Sequence, residues 1–215
     1  MSDPNANKEK WAAKNQGHVL HPDQVAQARE QKPRLPPGQH IPKGWPRLDL
    51  GFIPNVNRPD WQLKVSGLVD KPQSFNWVQF NALPQSEQVC DMHCVTTWST
   101  FDNKTAGVKF SDFARHVGVQ ADAKFVLFTS YDSYTTNLDL DCCLDDDVQI
   151  MHSWNGAPLD SEHGGPARML VPKRYLWKSA KWIKEITFLA EDKLGYWEVR
   201  GYHNHACPWE EERFS

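Results

Sequence analysis

Apolar and polar residues alternate along WQLKVSGLV (61–69), with Trp61, Leu63 and Val65 set against Gln62, Lys64 and Ser66. That period of two predicts a half-buried strand, and Gly67 suits a turn or bulge after it. KFVLFTS (124–130), ARMLV (167–171) and WIKEITFL (182–189) are apolar runs of strand length, and WEVRGY (197–202) reads as a further strand. Helical signals are few. Ser74 predicts the cap of a helix running to about Leu83, with Pro84 ending it. Ser111 predicts the cap of another through His116, stopped by Gly118. Pro22 opens a short polar helix over Asp23–Gln31. Strands and short helices mix without a βαβ rhythm or internal repeat, which predicts an α+β fold with mixed sheets.

Proline changes the picture before residue 60, where nine of the 15 prolines lie. Each removes a backbone donor and fixes φ, so this region predicts an extended arm laid over the body. LPPGQHIPKGWP (35–46) reads as polyproline and turn structure. Residues 1–34 form a polar N-terminal extension and 35–215 the domain proper. A chain of 215 residues buries roughly 70% of its extended surface and needs no disulfides. A net charge of -3 argues against binding nucleic acid. No apolar run approaches the roughly 18 residues of a membrane span, and no export signal is visible, which predicts a cytoplasmic chain. The five cysteines then read as reduced thiols or metal ligands.

Four patches carry candidate chemistry. CDMHCVTTWS (90–99) places Cys90, His93 and Cys94 together, as buried thiols beside a turn or as a thiolate ligand to a soft or high-valent metal. EHGGPARMLVPKRYLWKSAKW (162–182) gathers Arg168, Lys173, Arg174, Lys178 and Lys181 beside the Gly164–Gly165 pair, as a solvated basic face or as an anion site. TSYDSYTTN (129–137) sets Asp132 between Tyr131 and Tyr134, in a site or simply in a β-turn. In GYHNHACPWEEERF (201–214), His203, His205 and Cys207 would share one face of a strand, a loose zinc pattern.

Together these segments resemble the molybdopterin-binding oxidoreductases of the sulfite oxidase fold, in particular the small single-domain sulfite-oxidase-like group. DMHCVTTWS is similar to that group's metal-ligating cysteine segment, and YTTNLDL to its tyrosine-bearing turn. EHGGPARMLVPKRYLWKSAKW is similar to its pterin-phosphate segment, and GYWEVRGYH with PWEEERF to its C-terminal signature. The resemblance covers roughly residues 35–214.

By position, the resemblance implies Cys94 as the thiolate on molybdenum, and Tyr134 with Asp132 at the reacting centre. It implies His163, Arg168, Lys178, Ser179, Ala180, Lys181 and Thr129 as contacts of the molybdenum-molybdopterin cofactor. It also implies two-electron oxygen-atom transfer on a small molecule. The residues after Cys94 are neutral and lack the arginine that sulfite oxidases place there, which favours an S-oxide or N-oxide over sulfite. No haem motif of the C-x-x-C-H type occurs, which implies a separate electron-transfer partner. The rival reading is a non-catalytic structural protein holding zinc through Cys90, His93, His203, His205 or Cys207.

Overall fold

The computed structural model describes residues 34–215. The helix expected over 23–31 and the extension before Arg34 lie outside the described residues. The strands are β1 (Gln62–Gly67), β2 (Gln73–Asn76), β3 (Ser86–His93), β4 (Ser99–Lys109), β5 (Phe125–Ser130), β6 (Thr135–Asp139), β7 (Gln149–Trp154), β8 (Ala157–Pro158), β9 (Arg168–Leu170) and β10 (Ile183–Leu189). The helices are α1 (Trp77–Asn81), α2 (Phe110–Val117) and α3 (Leu140–Cys143). One sheet runs in the order β2-β1-β10-β5-β6, and the other in the order β3-β4-β7-β8 with β9 also on β7. Among the named strands only β1 and β10 pair in parallel. The expected α+β class with mixed sheets and short helices is what forms. Among the described residues no helix is long and apolar enough to cross a membrane.

The alternation in β1 buries Leu63 and Val65 while Gln62 and Lys64 stay exposed. Val126, Phe128, Ile183, Ile186 and Phe188 are fully buried in the same core. α2 contributes Phe110, Phe113, Ala114 and Val117, one stripe at helical spacing. Its end is where Gly118, at φ 69, takes the left-handed conformation that costs other residues energy. Truncating one such phenylalanine to alanine costs about 3–5 kcal/mol, so this core sets the frame on which the loops are hung.

Three expected elements differ. Ser74 lies inside β2, opposite Lys64, and the helix cap is Asn76, whose side chain accepts from Gln79 N while Gln79 reaches back to Asn76 N. α2 starts at Phe110, ahead of Ser111, and no side chain caps it. WEVRGY is no strand: Glu198–Arg200 form a single 3-10 turn, ended by Gly201 at φ 88. The alternation there is misleading because Val199 is 60% exposed whereas Glu198 is buried by an ion pair.

Residues 34–60 form the extended arm. It makes no strand with the sheets and touches the body through a bridge between His40 and Trp98. Gln39 Nε2 donates to the Cys94 carbonyl at 3.1 Å. Trp45 then packs with Cys94, Trp98, Met151 and Leu170 in a second, smaller core.

Candidate functional site

The arm, the cysteine turn, the β5–β6 turn, the segment 162–182 and the C-terminal turn enclose a cavity of about 130 Å³. Its lining includes Trp45, Arg47, Cys94, Ser130, Asp132, Tyr134, His163, Arg168, Trp177, Ser179, Lys181 and Tyr202.

Cys94 follows the end of β3 and is 4% exposed. A tight turn holds it: its amide donates to Trp98 O at 2.8 Å, and its carbonyl accepts from Thr97 N at 3.1 Å. Thr96 Oγ1 donates to its Sγ at 3.2 Å. Burial pushes its thiol above the ordinary range, while the Thr96 hydrogen bonds and the Arg213 and Arg168 charges pull the other way. Cys90 and His93 do not join it in the lining. His93 shares a hydrogen bond with Ser99 Oγ at 2.8 Å, and desolvation lowers its pKa to about 4. The Cys90 thiol is pushed up to about 12, first by burial.

Arg168 opens β9 and is 4% exposed, and its hydrogen bonds all go to carbonyls: Met169 O at 3.2 Å, His163 O at 2.9 Å and Ser179 O at 2.8 Å. Its guanidinium also lies 5.3 Å from the Trp45 ring centre. Desolvation drags its pKa down to about 10. Lys181, whose Nζ donates to Glu162 O at 3.0 Å, is lowered to about 7 by desolvation and then by Arg168. A buried cation with no carboxylate is a standing cost that an incoming anion relieves. Ser130 Oγ and Trp177 Nε1, both in the lining, are buried with no hydrogen-bond partner among the described residues. The pocket therefore presents cations and idle donors together, which suits a phosphate-bearing heterocycle.

His163 stacks on Trp45 with ring centres 4.4 Å apart. Its Nδ1 lies 2.9 Å from the Asp160 carboxylate and its Nε2 3.0 Å from Trp45 O. An Arg47–Glu162 ion pair ties the arm to the same loop. The glycine pair that suggested close ligand approach serves the chain itself: a Cβ on Gly165 would meet Leu159 O at 2.3 Å, and one on Gly164 would meet Lys181 Cβ at 2.8 Å.

Several expected contacts fall elsewhere. Lys178 is fully buried outside the lining, its Nζ 2.7 Å from Glu198 Oε1 and donating to Asn137 O at 2.9 Å, so it fastens the C-terminal turn. Thr129 and Ala180 also stand outside the lining. Thr129 faces away because side chains alternate along β5 and Ser130 takes the inward position. Ala180 contributes its carbonyl to Met169 N. Ser179 lines the cavity, but its hydroxyl already accepts from Val171 N. Asp132 is both a turn residue, accepting from Tyr134 N at 3.0 Å, and a lining residue whose carboxyl is raised by desolvation. Tyr134 reaches the cavity, yet its hydroxyl donates to Trp177 O at 2.5 Å. Tyr202, missed because its segment read as a strand, lines the cavity with no hydrogen bond on its hydroxyl among the described residues. Its pKa is pushed to about 12 by burial and by the Cys94 charge. His203 and His205 both turn to Glu212. Among the described residues no three His, Cys, Asp or Glu side chains are placed to hold a metal ion by themselves.

Residues 50–197 match the profile of the oxidoreductase molybdopterin binding domain. The oxidoreductase YuiH of Bacillus subtilis is 40% identical over 187 residues, which cover 86% of this chain and 94% of that protein. A protein from Azospira oryzae, named as a protein-methionine-sulfoxide reductase subunit, is 34% identical over 151 residues, or 70% of this chain and 57% of its own length. The sulfane dehydrogenase SoxCD from Paracoccus pantotrophus shares the fold, with a TM-score of 0.60 at 22% identity over 65% of this chain and 40% of that one. The chain thus spans nearly all of the first relative and little more than half of the second.

Proposed function

The chain belongs to the molybdopterin-binding oxidoreductases of the sulfite oxidase fold, and from that premise we propose that it reduces a neutral S-oxide or N-oxide, with Cys94 as the thiolate ligand of molybdenum. The observation that carries this reading is a buried cysteine in the wall of a cavity that also holds Arg168, a buried guanidinium that pairs with no carboxylate among the described residues. One protein sulfur is what a metal needs when a pterin brings the remaining sulfurs. Arg168, Lys181 and the idle donors of Ser130 and Trp177 fit the anionic and polar edges of such a group.

When bound, the molybdenum-molybdopterin cofactor supplies a two-electron redox centre with an exchangeable oxygen position. The chain supplies orientation and charge. Arg168 and Lys181 hold the phosphate, and Trp45 with His163 covers that end and excludes water. Cys94 stays deprotonated as a ligand because a metal's charge outweighs the burial that raises the free thiol. The Tyr202 hydroxyl is free to donate to a substrate oxygen, whereas Tyr134 positions Trp177 through its carbonyl. Reducing a sulfoxide to a sulfide consumes two electrons and two protons and releases water. The electrons come from a separate partner, a reading supported by the word subunit in the name of the Azospira relative.

Charge favours a neutral substrate. The lining holds the cations Arg47, Arg168 and Lys181 against the carboxylates Asp49, Asp132 and Glu162. Once a phosphate engages Arg168 and Lys181, the remainder is net negative, and a sulfite dianion would be repelled. The test is protein purified from a host that makes the cofactor, analysed for metals and assayed with a reduced dye on sulfoxides and N-oxides, and with sulfite in the oxidative direction. Molybdenum with S-oxide or N-oxide reduction is the expected result. Zinc without molybdenum, or sulfite as much the best substrate, would overturn it.

A further inference from the structure

Arg213 is not part of the cavity lining, yet it touches the lining residue Val95 and two segments behind it. Its NH1 donates to the carbonyl of Val95, the residue after Cys94, at 2.6 Å. Its NH2 donates to Pro37 O in the arm at 3.4 Å. Its guanidinium carbon stands 4.9 Å from the centre of the Tyr175 ring, itself fully buried. Tyr175 in turn bridges His93 at the end of β3, just before Cys94. The C-terminal tail thus reaches back across the chain to clasp the cysteine turn against the arm.

The charge of this clasp is not neutralised by an ion pair. Three glutamates precede Arg213 in sequence, but Glu212 is engaged by His205 at 2.6 Å and His203 at 3.4 Å. Glu211 Oε1 and Arg213 NH2 both lie beside Gly38. Among the described residues Arg213 makes no ion pair. A clasp alone would be served by any donor. A guanidinium with its hydrogen bonds on carbonyls keeps its charge beside the cysteine turn, where that charge favours the Cys94 thiolate.

We propose that Arg213 is a positioning residue that supplies the counter-charge on the Cys94 side of the pocket and so makes the bound redox centre easier to reduce. The inference rests on the reading of Cys94 as the metal's ligand. Reduction adds negative charge at the centre, and a cation held beside its ligand stabilises the reduced form more than the oxidised one. Because the turn between them is half-buried and Cys94 itself is buried, the interaction is screened less than one across water. Removing the charge therefore lowers the midpoint potential.

The test is a redox titration of cofactor-loaded protein, followed by the sulfur-to-metal absorption and normalised to molybdenum content. Arg213→Gln is expected to shift the midpoint to a more negative potential at unchanged metal content. Arg213→Lys, which keeps the charge but not both hydrogen bonds, is expected to stay at the wild-type value. An unmoved potential in Arg213→Gln overturns the proposal, as does an equal shift in both variants, which would assign the effect to the clasp. Should Arg213→Gln lose its cofactor, the neutral Arg213→Met takes its place: a potential more negative than that of Arg213→Lys supports the charge, and an equal one rejects it. Cys94→Ser is titrated alongside. If that variant keeps the wild-type absorption bands, the ligand reading fails on its own, and the Arg213 comparison still reports whether a charge acts on the centre.

Discussion

Replacing Arg168 by methionine removes the buried cation while retaining much of its bulk. Two effects separate. In the loaded protein, one charge-assisted hydrogen bond to a phosphate contributes about 1.5–3 kcal/mol. At about 1.4 kcal/mol per decade, that is a 10- to 100-fold loss of cofactor affinity. In the cofactor-free protein the loss of the bonds to Met169 O, His163 O and Ser179 O is offset, because a guanidinium whose pKa burial has drawn down to about 10 no longer has to be desolvated. The free protein should therefore lose less stability than three abandoned carbonyls would suggest. Molybdenum content at limiting cofactor supply gives the first quantity, and denaturant melts of the free protein the second. Lys173→Ala is the control, since that ammonium is 55% exposed and pairs with Asp145 on the surface. Wild-type occupancy in Arg168→Met, or an equal fall in Lys173→Ala, would refute the assignment of Arg168 to the anion.

The other expectations follow from neighbouring groups. Lys181, lowered to about 7, must be charged to hold a phosphate, so binding above that pH requires proton uptake. Cofactor affinity should fall as pH rises from 7 to about 9 and lose that slope in Lys181→Gln, as read by titration of the free protein with cofactor. Tyr202→Phe should lower turnover several-fold at unchanged molybdenum content, whereas Tyr134→Phe, which strands Trp177 O, should cost about 1–3 kcal/mol in melts; the reverse pattern would return the catalytic hydroxyl to Tyr134. Cys94→Ser should abolish turnover and the sulfur-to-metal bands, while Cys143→Ser, with a side chain fully buried in the main core, should lower stability and leave the chemistry intact.

What the chain's pattern reveals is whatever local spacing decides. β1 and β10 are legible because burial alternates or runs continuously over a strand's length, and Gly118 is legible because a helix end needs a residue at positive φ. The segment 197–202 has the same alternation, but its burial is set by a partner far away in sequence, the Lys178 ammonium on Glu198. The basic segment shows the same limit. Five cations in fourteen positions could all be solvated, and nothing in the spacing separates Arg168 and Lys181, which enter the pocket, from Lys173, which faces water. Along β5 a single step between Thr129 and Ser130 exchanges the outside for the inside. Only the resemblance brought the distant segments into one site. It pointed to Cys94, His163, Arg168 and Lys181, which line the cavity, and also to Lys178, directly beside the phosphate-contact run, whose ammonium lies on Glu198 outside the lining.

The cavity has a consequence for how the arm is held. Besides the core it shares with Cys94, Trp98, Met151 and Leu170, Trp45 meets His163, Trp154 and the Arg168 guanidinium, and Arg47 pairs with Glu162. Trp45, Arg47, His163, Arg168 and Glu162 all line the cavity, so this stretch of the arm and the pocket wall are held together. A surface ion pair such as Arg47–Glu162 contributes about 0–1 kcal/mol, too little to close the arm by itself. A ligand that fills the space between Trp45, Cys94 and Arg168 would bind the closed arrangement in preference to an open one. By mass action it would stabilise the closed form by RT ln(1 + [L]/Kd), about 2.7 kcal/mol at a hundredfold excess over Kd. That exceeds the ion pair, so a bound ligand would add more to holding residues 45–50 over the site than Arg47–Glu162 does, on top of the packing that already buries Trp45.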